Sequence, residues 1–280
     1  THYTKVQKSP EPTIRDRIAI QGKITFAEFM ELALYHSRGG YYADSSVFGA
    51  QGDYFTSPAA HPAFGALIAT QLQRMWEILD SPSQFFVIDM GSGSGLLARD
   101  VVGYAATTFP NFASSLNYLN LERYVPPREA PNCLNNIHSI ITSDVPLKEM
   151  VGCFISNEIV DSFPVHRFQI QQGEIKEIYV ALDETGRFIE VLGSPSTPLI
   201  AQRLSSLDFS LPNGFQGEIC LYIHPWMNKV SAALNRGFVV TIDYGFESSE
   251  MYSIKRSNGT IQTHYRHIKG GSPYQLIGRQ

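Results

Sequence analysis

Cysteine is scarce. The chain holds Cys133, Cys153 and Cys220, far apart and with no C-x-x-C spacing, which excludes a disulfide-stapled scaffold, a zinc knuckle and a dithiol redox site and suits a reducing compartment. Charge is sparse as well: 17% of residues are charged, and 22 Lys and Arg stand against 26 Asp and Glu for a net charge of −4. That is the wrong sign for a protein that gains its affinity by neutralising nucleic-acid phosphates. No apolar run approaches the roughly 18 residues that a membrane-crossing helix needs. The opening Thr1-His2-Tyr3-Thr4-Lys5 lacks the apolar stretch of a secretory signal, so the expected setting is intracellular, on a chain cropped at that end because it begins with Thr. Internal repeats and low-complexity tracts are missing too, which excludes solenoids and propellers. What is present is hydrophobic: 43% of 280 residues, with 17 Phe and 14 Tyr, enough for one large domain or two modest ones with a well-buried core.

Hydrophobic periodicity divides the chain. Residues 12–36 read as helical, with Thr25 and Glu28 at capping-box spacing ahead of Phe26, Phe29, Ala33 and Leu34. A Gly- and Tyr-rich loop follows, from Gly39 to Ser57, long enough to be functional. Pro62 opens a second helix running to about Leu79. A short apolar run without alternation at Phe85 to Asp89 is what a parallel strand buried on both faces looks like, and comparable runs recur at about Leu116 to Leu121, Ile137 to Ile141, Cys153 to Ser156 and Phe238 to Ile242. Separated by helical spans, they predict a doubly wound α/β sheet. Between the last two, Val165 to Ile170, Glu174 to Leu182 and Phe188 to Leu192 predict an inserted antiparallel β-element turning at Gln172-Gly173 and Thr185-Gly186. A helix around Pro225 to Leu234 precedes the Phe238 run, and a strand is expected at Thr260 to Tyr265. The predicted organisation is an N-terminal segment (1–80), a first part of the core (81–164), the β-rich insert (165–215), and the remainder of the core with a polar tail (216–280).

The stretch Val87-Ile88-Asp89-Met90-Gly91-Ser92-Gly93-Ser94-Gly95-Leu96 is a strand, a glycine loop and a helix start. A dinucleotide fingerprint needs Gly where Leu96 stands, and a P-loop needs Gly-Lys-Ser/Thr, so nicotinamide and nucleoside-triphosphate readings are disfavoured. What remains is a strand-end acid and a loop bare enough for a ligand to approach backbone amides at a helix N-terminus. This is the pattern of the S-adenosylmethionine loop of class I methyltransferases, in which Gly91, Gly93 and Gly95 would contact the amino-acid part of the cofactor and Asp89 its ammonium side, directly or through water. A carboxylate ending the next strand would accept from both ribose hydroxyls, and Glu122 stands there. Asp144, after the Ile137 run, is the candidate for the adenine edge.

With these residues in place the sequence resembles the MidA-type family of S-adenosylmethionine-dependent methyltransferases, whose mitochondrial members assist respiratory complex I assembly. The resemblance is carried by Gly22 to Met30, His36 through Gly40-Tyr41-Tyr42, Gly52 to Pro58, the glycine loop, Asn157 to Val165 and Asp243-Tyr244-Gly245. It implies a class I (Rossmann-like) methyltransferase sheet with an N-terminal helical segment and the inserted β-element, and methyl transfer to arginine of a protein partner. Three departures stand out. Ala59 replaces a common Glu, Ser92 and Ser94 occupy glycine-loop positions that often hold Pro and Arg, and family chains run past Gln280, so the last strands of the sheet are expected to be incomplete here.

An arginine nucleophile is a delocalised cation, and paired carboxylates can grip it, orient one nitrogen and draw charge onto the others. Glu158 and Asp161 have helical spacing just past the Cys153 run and would share a face if the chain turned helical there. Asn157 could accept from the nucleophile or touch the cofactor; the plain alternative is that Asn157 caps a helix whose positive end suits the acids. Asp53, Thr56 and Ser57 would either contact the cofactor or form a turn and a cap. His166, followed by Arg167, reads as structural, as a His beside a strand more often is, and the polar tail with His264 and His267 offers no acid cluster for a metal. Alternatives to a protein arginine methyltransferase are a small-molecule N- or O-methyltransferase and an assembly chaperone that keeps the cofactor fold without catalysis. The expected compartment is the cytoplasm of a bacterium or the mitochondrial matrix of a eukaryote, and a homodimer is compatible with the sequence.

Overall fold

The computed structural model describes residues 9–43, 57–124, 136–265 and 268–279, and the chain gathers into two units, each made of separated stretches. One takes the described residues of 57–162 together with 224–244. Its sheet is wholly parallel, in the order Leu234–Ile242, Met150–Asn157, Phe85–Met90, Leu116–Glu122, Ile137–Ile141. Each strand contains the run that predicts it; the central Phe85–Met90 and Met150–Asn157 are largely buried on both faces, whereas the edge strands Leu234–Ile242 and Ile137–Ile141, expected to be buried on both faces, are largely exposed because each has a neighbour on one side alone. Phe85, Val87, Cys153 and Ile155 are fully buried, and the helices Ala63–Ile78 and Leu96–Thr108 pack Leu72, Val101 and Ala105 onto that layer. Pro62 occupies the N-cap of the first of these helices, as the sequence predicts.

From Phe85–Met90 the chain winds outward to Ile137–Ile141, then returns to lay Met150–Asn157 on the opposite flank. The direction of winding reverses between those two strands, and in open α/β sheets ligands bind outside the carboxyl ends at such a reversal. The approach is close: a Cβ on Gly152 would lie 1.9 Å from the Phe86 carbonyl oxygen, and Gly152 has φ of 155°. Gly152→Ala should therefore destabilise the protein by roughly 2–5 kcal/mol through overpacking and backbone strain. Gly103→Ala is the control, since its helical site has nothing within 4 Å of an added Cβ and should be neutral or stabilising by up to about 1 kcal/mol. Urea-denaturation midpoints of the two variants check the contrast.

The other unit takes the described residues of 9–43, 163–223 and 245–279. Its antiparallel sheet runs Ile24–Thr25, Glu174–Leu182, His166–Gln171, Gln216–Ile219, with Phe188–Gly193 also paired to Glu174–Leu182. Gln172 and Gly173, at φ of 54° and 80°, make the tight turn that the Gln-Gly pair predicts. The predicted helix over 12–36 is instead two, Glu11–Gln21 and Phe26–Tyr35. Gly22 at φ of 78° ends the first, and Ile24 and Thr25 are drawn into the sheet opposite Val180 and Tyr179. Thr25 then caps the second helix, accepting from the Glu28 N–H at 3.1 Å. In the tail, the strand expected at Thr260 to Tyr265 shrinks to His264–Tyr265, paired with Ile268–Lys269. Among the described residues no helix is long and apolar enough to cross a membrane.

His166 and Arg167 belong to this unit's polar interior. His166 Nδ1 lies 2.7 Å from a Glu177 carboxylate that is fully buried, and Arg167 donates to Glu190 with Glu218 at 3.8 Å. These contacts pair buried charge in the β-element, although Arg167 Nε has no hydrogen-bond partner among the described residues.

Candidate active site

The glycine loop alternates left-handed residues: Gly91, Gly93 and Gly95 have φ of 69°, 57° and 71°. L-residues with a Cβ rarely adopt such angles, so the glycines permit the path rather than merely tolerate it. Donation from Gly91 N–H to the Leu121 carbonyl at 2.9 Å ties the loop to the neighbouring strand. Gly95 is the N-cap of helix Leu96–Thr108 and brings no side-chain cap, which leaves the first amides of that helix without a capping side chain. A Cβ on Gly91 would lie 2.9 Å from Ile159 Cδ1, so the loop meets the chain leaving strand Met150–Asn157 at the point where winding reverses.

Beneath the loop, parallel register sets polar side chains in a row. Asp89 pairs with Asn120, and Tyr118 and Glu122 lie two residues to either side on the same face. Asp89 is 2% exposed and accepts from the Tyr118 hydroxyl at 2.9 Å. Burial pushes its carboxyl up to about 7, against the pull of the Tyr118 bond and with a further push from the Glu122 charge. Burial also raises Glu122, whose Oε1 accepts from the Gly93 N–H and from Ser92 Oγ at 3.4 Å. Asn120, 4% exposed, has no partner for its Oδ1 among the described residues, and the site of a Gly95 Cβ lies 3.8 Å from its Nδ2.

A carboxyl held at about 7 when folded and near 3.9 when unfolded binds its proton more tightly in the native state. The associated stability is fully present below about pH 4 and is lost as pH rises through about 7, on the order of 4 kcal/mol. Asp89→Asn should remove this falling limb. The check is wild-type minus variant unfolding free energy measured across that window without ligand; a constant difference would sink the account.

On the other side of the reversal, the helix expected for Glu158 and Asp161 does not form. Glu158 sits at φ of 52° and its N–H continues the sheet to the Ile242 carbonyl at 2.8 Å; only one 3-10 turn, Val160–Ser162, follows. The acids are placed by that kink, not by a helix face, and Asn157 is no helix cap: its Nδ2 donates to Glu158 Oε1 at 3.4 Å while its Oδ1 has no partner among the described residues. Glu158 Oε1 also accepts from the Ser57 N–H at 3.2 Å. Thus Ser57 reaches the site through its backbone. Asp53 and Thr56 lie outside the described residues.

Asp243 and Tyr244 join this group and are not among the predicted site residues. Asp243 Oδ2 accepts from the N–H groups of Val160 at 2.7 Å and Asp161 at 3.3 Å, and its Oδ1 from Tyr244 N–H at 2.8 Å. Asp161 is pushed up to about 6, first by desolvation and then by the charges of Asp243 and Glu158. Tyr244 is 72% exposed, and the charge of Glu158, with smaller pushes from Asp161 and Asp243, raises its hydroxyl. The strand-end position of Asp243 is the same signal that singles out Asp89 and Glu122, and applied to the Phe238 run it finds this residue. Asp144, by contrast, is exposed and pairs with Lys229 at 2.9 Å, which lowers its carboxyl. No group of His, Cys, Asp and Glu among the described residues could hold a metal ion.

Residues 67–280 match the family described as S-adenosyl-L-methionine-dependent methyltransferase. The chain is similar to the protein arginine methyltransferase NDUFAF7 homolog, mitochondrial, of Drosophila melanogaster, 25% identical over 83% of this chain and 59% of that one. It is also similar to the Homo sapiens protein arginine methyltransferase NDUFAF7, mitochondrial, 24% identical over 84% of this chain and 58% of that one. The chain therefore spans under three fifths of the length of these curated relatives. A crystal structure of a COG1565 superfamily member from Burkholderia thailandensis, bound to S-adenosyl-homocysteine, superposes with a TM-score of 0.83 at 26% identity, covering 96% of this chain and 71% of that one.

Proposed function

Because the chain belongs to this family of S-adenosyl-L-methionine-dependent methyltransferases, we propose that it transfers a methyl group from S-adenosylmethionine to a guanidinium nitrogen of arginine in a protein partner. The observation that carries the reading is the meeting, at the winding reversal, of a bare glycine loop with three carboxylates, Glu158, Asp161 and Asp243.

The residues present fit the cofactor. Three left-handed glycines leave room beside backbone amides, the helix start is uncapped by a side chain, and Asn120 holds a buried acceptor with no partner among the described residues. Gly91, Gly93 and Gly95 would hold the amino-acid part, Asp89 its ammonium side and Glu122 the ribose hydroxyls. The chemistry supplied by S-adenosylmethionine in that cradle is an activated methyl group on a sulfonium. Asp144 would need to leave Lys229 to reach an adenine edge, and a solvent-exposed pair costs little to open.

The chain's own residues would then position the acceptor. Glu158 and Asp161, ionised, grip the guanidinium and favour charge on the nitrogens that do not react; most of the rate comes from this orientation. Asp243 holds the Val160–Ser162 turn by its backbone amides and adds negative potential. Asn157, through the Oδ1 that has no partner among the described residues, would accept from the reacting nitrogen. As Asp161 titrates near 6, kcat/KM should rise with pH through that value and level off above it, because the ionised form binds the cation; a profile flat across the acid range counts against the role.

The relatives' names place them in mitochondria, and we place this chain in the matrix of a eukaryotic mitochondrion or in bacterial cytoplasm, with a respiratory complex I subunit or a similar protein as acceptor. The test is transfer of labelled methyl to lysate proteins, followed by amino-acid analysis. Methylarginine is expected; label only in small molecules would favour the alternative acceptor class, and none at all the chaperone reading.

A further inference from the structure

Among the described residues, little neutralises the two carboxylates beneath the glycine loop. Asp89 is 2% exposed, and the groups acting on it are the Tyr118 hydroxyl and the like charge of Glu122. Glu122 is held by the N–H of Gly93, the hydroxyl of Ser92 and the N–H of Arg123. None of these is a side-chain cation. Around them, the strand Phe85–Met90 carries no other titratable residue, and Met150–Asn157 brings Cys153, whose buried thiol is pushed up to about 12 and stays neutral. Tyr118 is likewise held far above its ordinary range and stays a donor. On helix Leu96–Thr108 the ionisable residues are Arg99 and Asp100, which pair with each other at 3.1 Å, and Tyr104. Asp89 is buried with no side-chain cation beside it among the described residues and faces a second carboxylate on the next strand; full ionisation of both is unfavourable there, and a proton is the counter-charge these residues leave open.

S-adenosylmethionine carries a sulfonium, an ammonium and a carboxylate, hence one net positive charge; S-adenosylhomocysteine, without the sulfonium, carries none. We propose that the Asp89 and Glu122 pair holds one proton in the ligand-free protein and releases it to solvent when S-adenosylmethionine binds, the ligand's ammonium taking the place of the proton beside Asp89. The proposal rests on the cofactor reading above. One carboxyl O–H bond breaks, its proton passes to buffer, and the ligand's ammonium takes its place; S-adenosylhomocysteine keeps that ammonium and displaces the proton too, and the pair regains it from solvent when the product leaves. Asp89, the more buried of the two, is the principal carrier, consistent with its raised carboxyl.

The test is isothermal titration of the whole chain with S-adenosylmethionine and, separately, S-adenosylhomocysteine in two buffers of different ionisation enthalpy, which counts protons exchanged without any turnover. Near pH 6 the donor and the product should each release on the order of one proton. Donor affinity should rise about eightfold from about pH 6 to about pH 7.5, the factor expected for a carboxyl titrating near 7. The amino group shared by both ligands would take up a proton, the opposite sign, so it cannot imitate the effect. Asp89→Asn should bind the donor with buffer-independent heat, and Glu122→Gln should release less than wild type. Donor binding with equal heats in both buffers overturns the proposal while leaving the cofactor reading intact, and release by the donor but not by the product overturns the exchange of proton for ammonium. Full release from Asp89→Asn overturns the assignment to Asp89, and absence of binding in every buffer overturns the cofactor reading and this proposal with it. The wild-type measurement decides the matter even if a variant fails to fold.

Discussion

Glu122→Ala should weaken S-adenosylmethionine binding by roughly 2–3 kcal/mol, about 30- to 150-fold in Kd, because a carboxylate accepting from two hydroxyls makes charge-assisted bonds of about 1.5–3 kcal/mol each that do not add fully. The structure adds a second cost. Glu122 Oε1 also accepts from the Gly93 N–H and Ser92 Oγ, so its removal frees the middle of the loop as well as the ribose site. Glu122→Gln separates the two, since an amide oxygen can still take the Gly93 bond but brings no charge. Titration calorimetry should place the glutamine variant between wild type and the alanine variant. Equal affinity of wild type and Glu122→Ala would remove Glu122 from the cofactor site.

Combining Glu158→Gln with Asp161→Asn should leave S-adenosylmethionine affinity within about threefold and lower kcat by roughly 100-fold or more, the scale of losing preorganised electrostatic contacts in a site. Neutral amides keep the size of the side chains, and the amide introduced by Glu158→Gln would retain an oxygen for the Ser57 N–H that Glu158 now binds. What they lose is the ability to hold a planar cation by paired charge. The readout is single-turnover methyl transfer alongside calorimetric binding. Loss of both binding and turnover would mean the acids support the fold of the site rather than the acceptor, and unchanged turnover would mean that they touch neither.

Much of the fold is legible in the chain because its signals are local. Five short, apolar-rich runs give five parallel strands, and Gln172-Gly173 marks a hairpin turn. The stretch over 12–36 shows where locality fails: its periodicity suits a helix throughout, yet pairing of Ile24 and Thr25 with Val180 and Tyr179, far along the chain, converts two residues and splits the element. The acids at 158 and 161 fail in the same way. Their spacing of three suggests a helix face, but the Ile242 carbonyl captures the Glu158 N–H and forces a left-handed kink.

The sequence by itself determined the glycine loop, its flanking strands, Glu122 at the end of the next strand and the acidic character of the segment after Ser156, since each is written in consecutive residues. Only the tertiary structure decided that Asp243 shares the turn of Asp161, that Tyr118 and Glu122 face Asp89 beneath the loop, and that Asp144 is taken up by Lys229. The physical reason is register. Parallel pairing aligns strand ends that are distant in sequence, and whether two carboxylates become neighbours depends on that alignment, which no local pattern encodes.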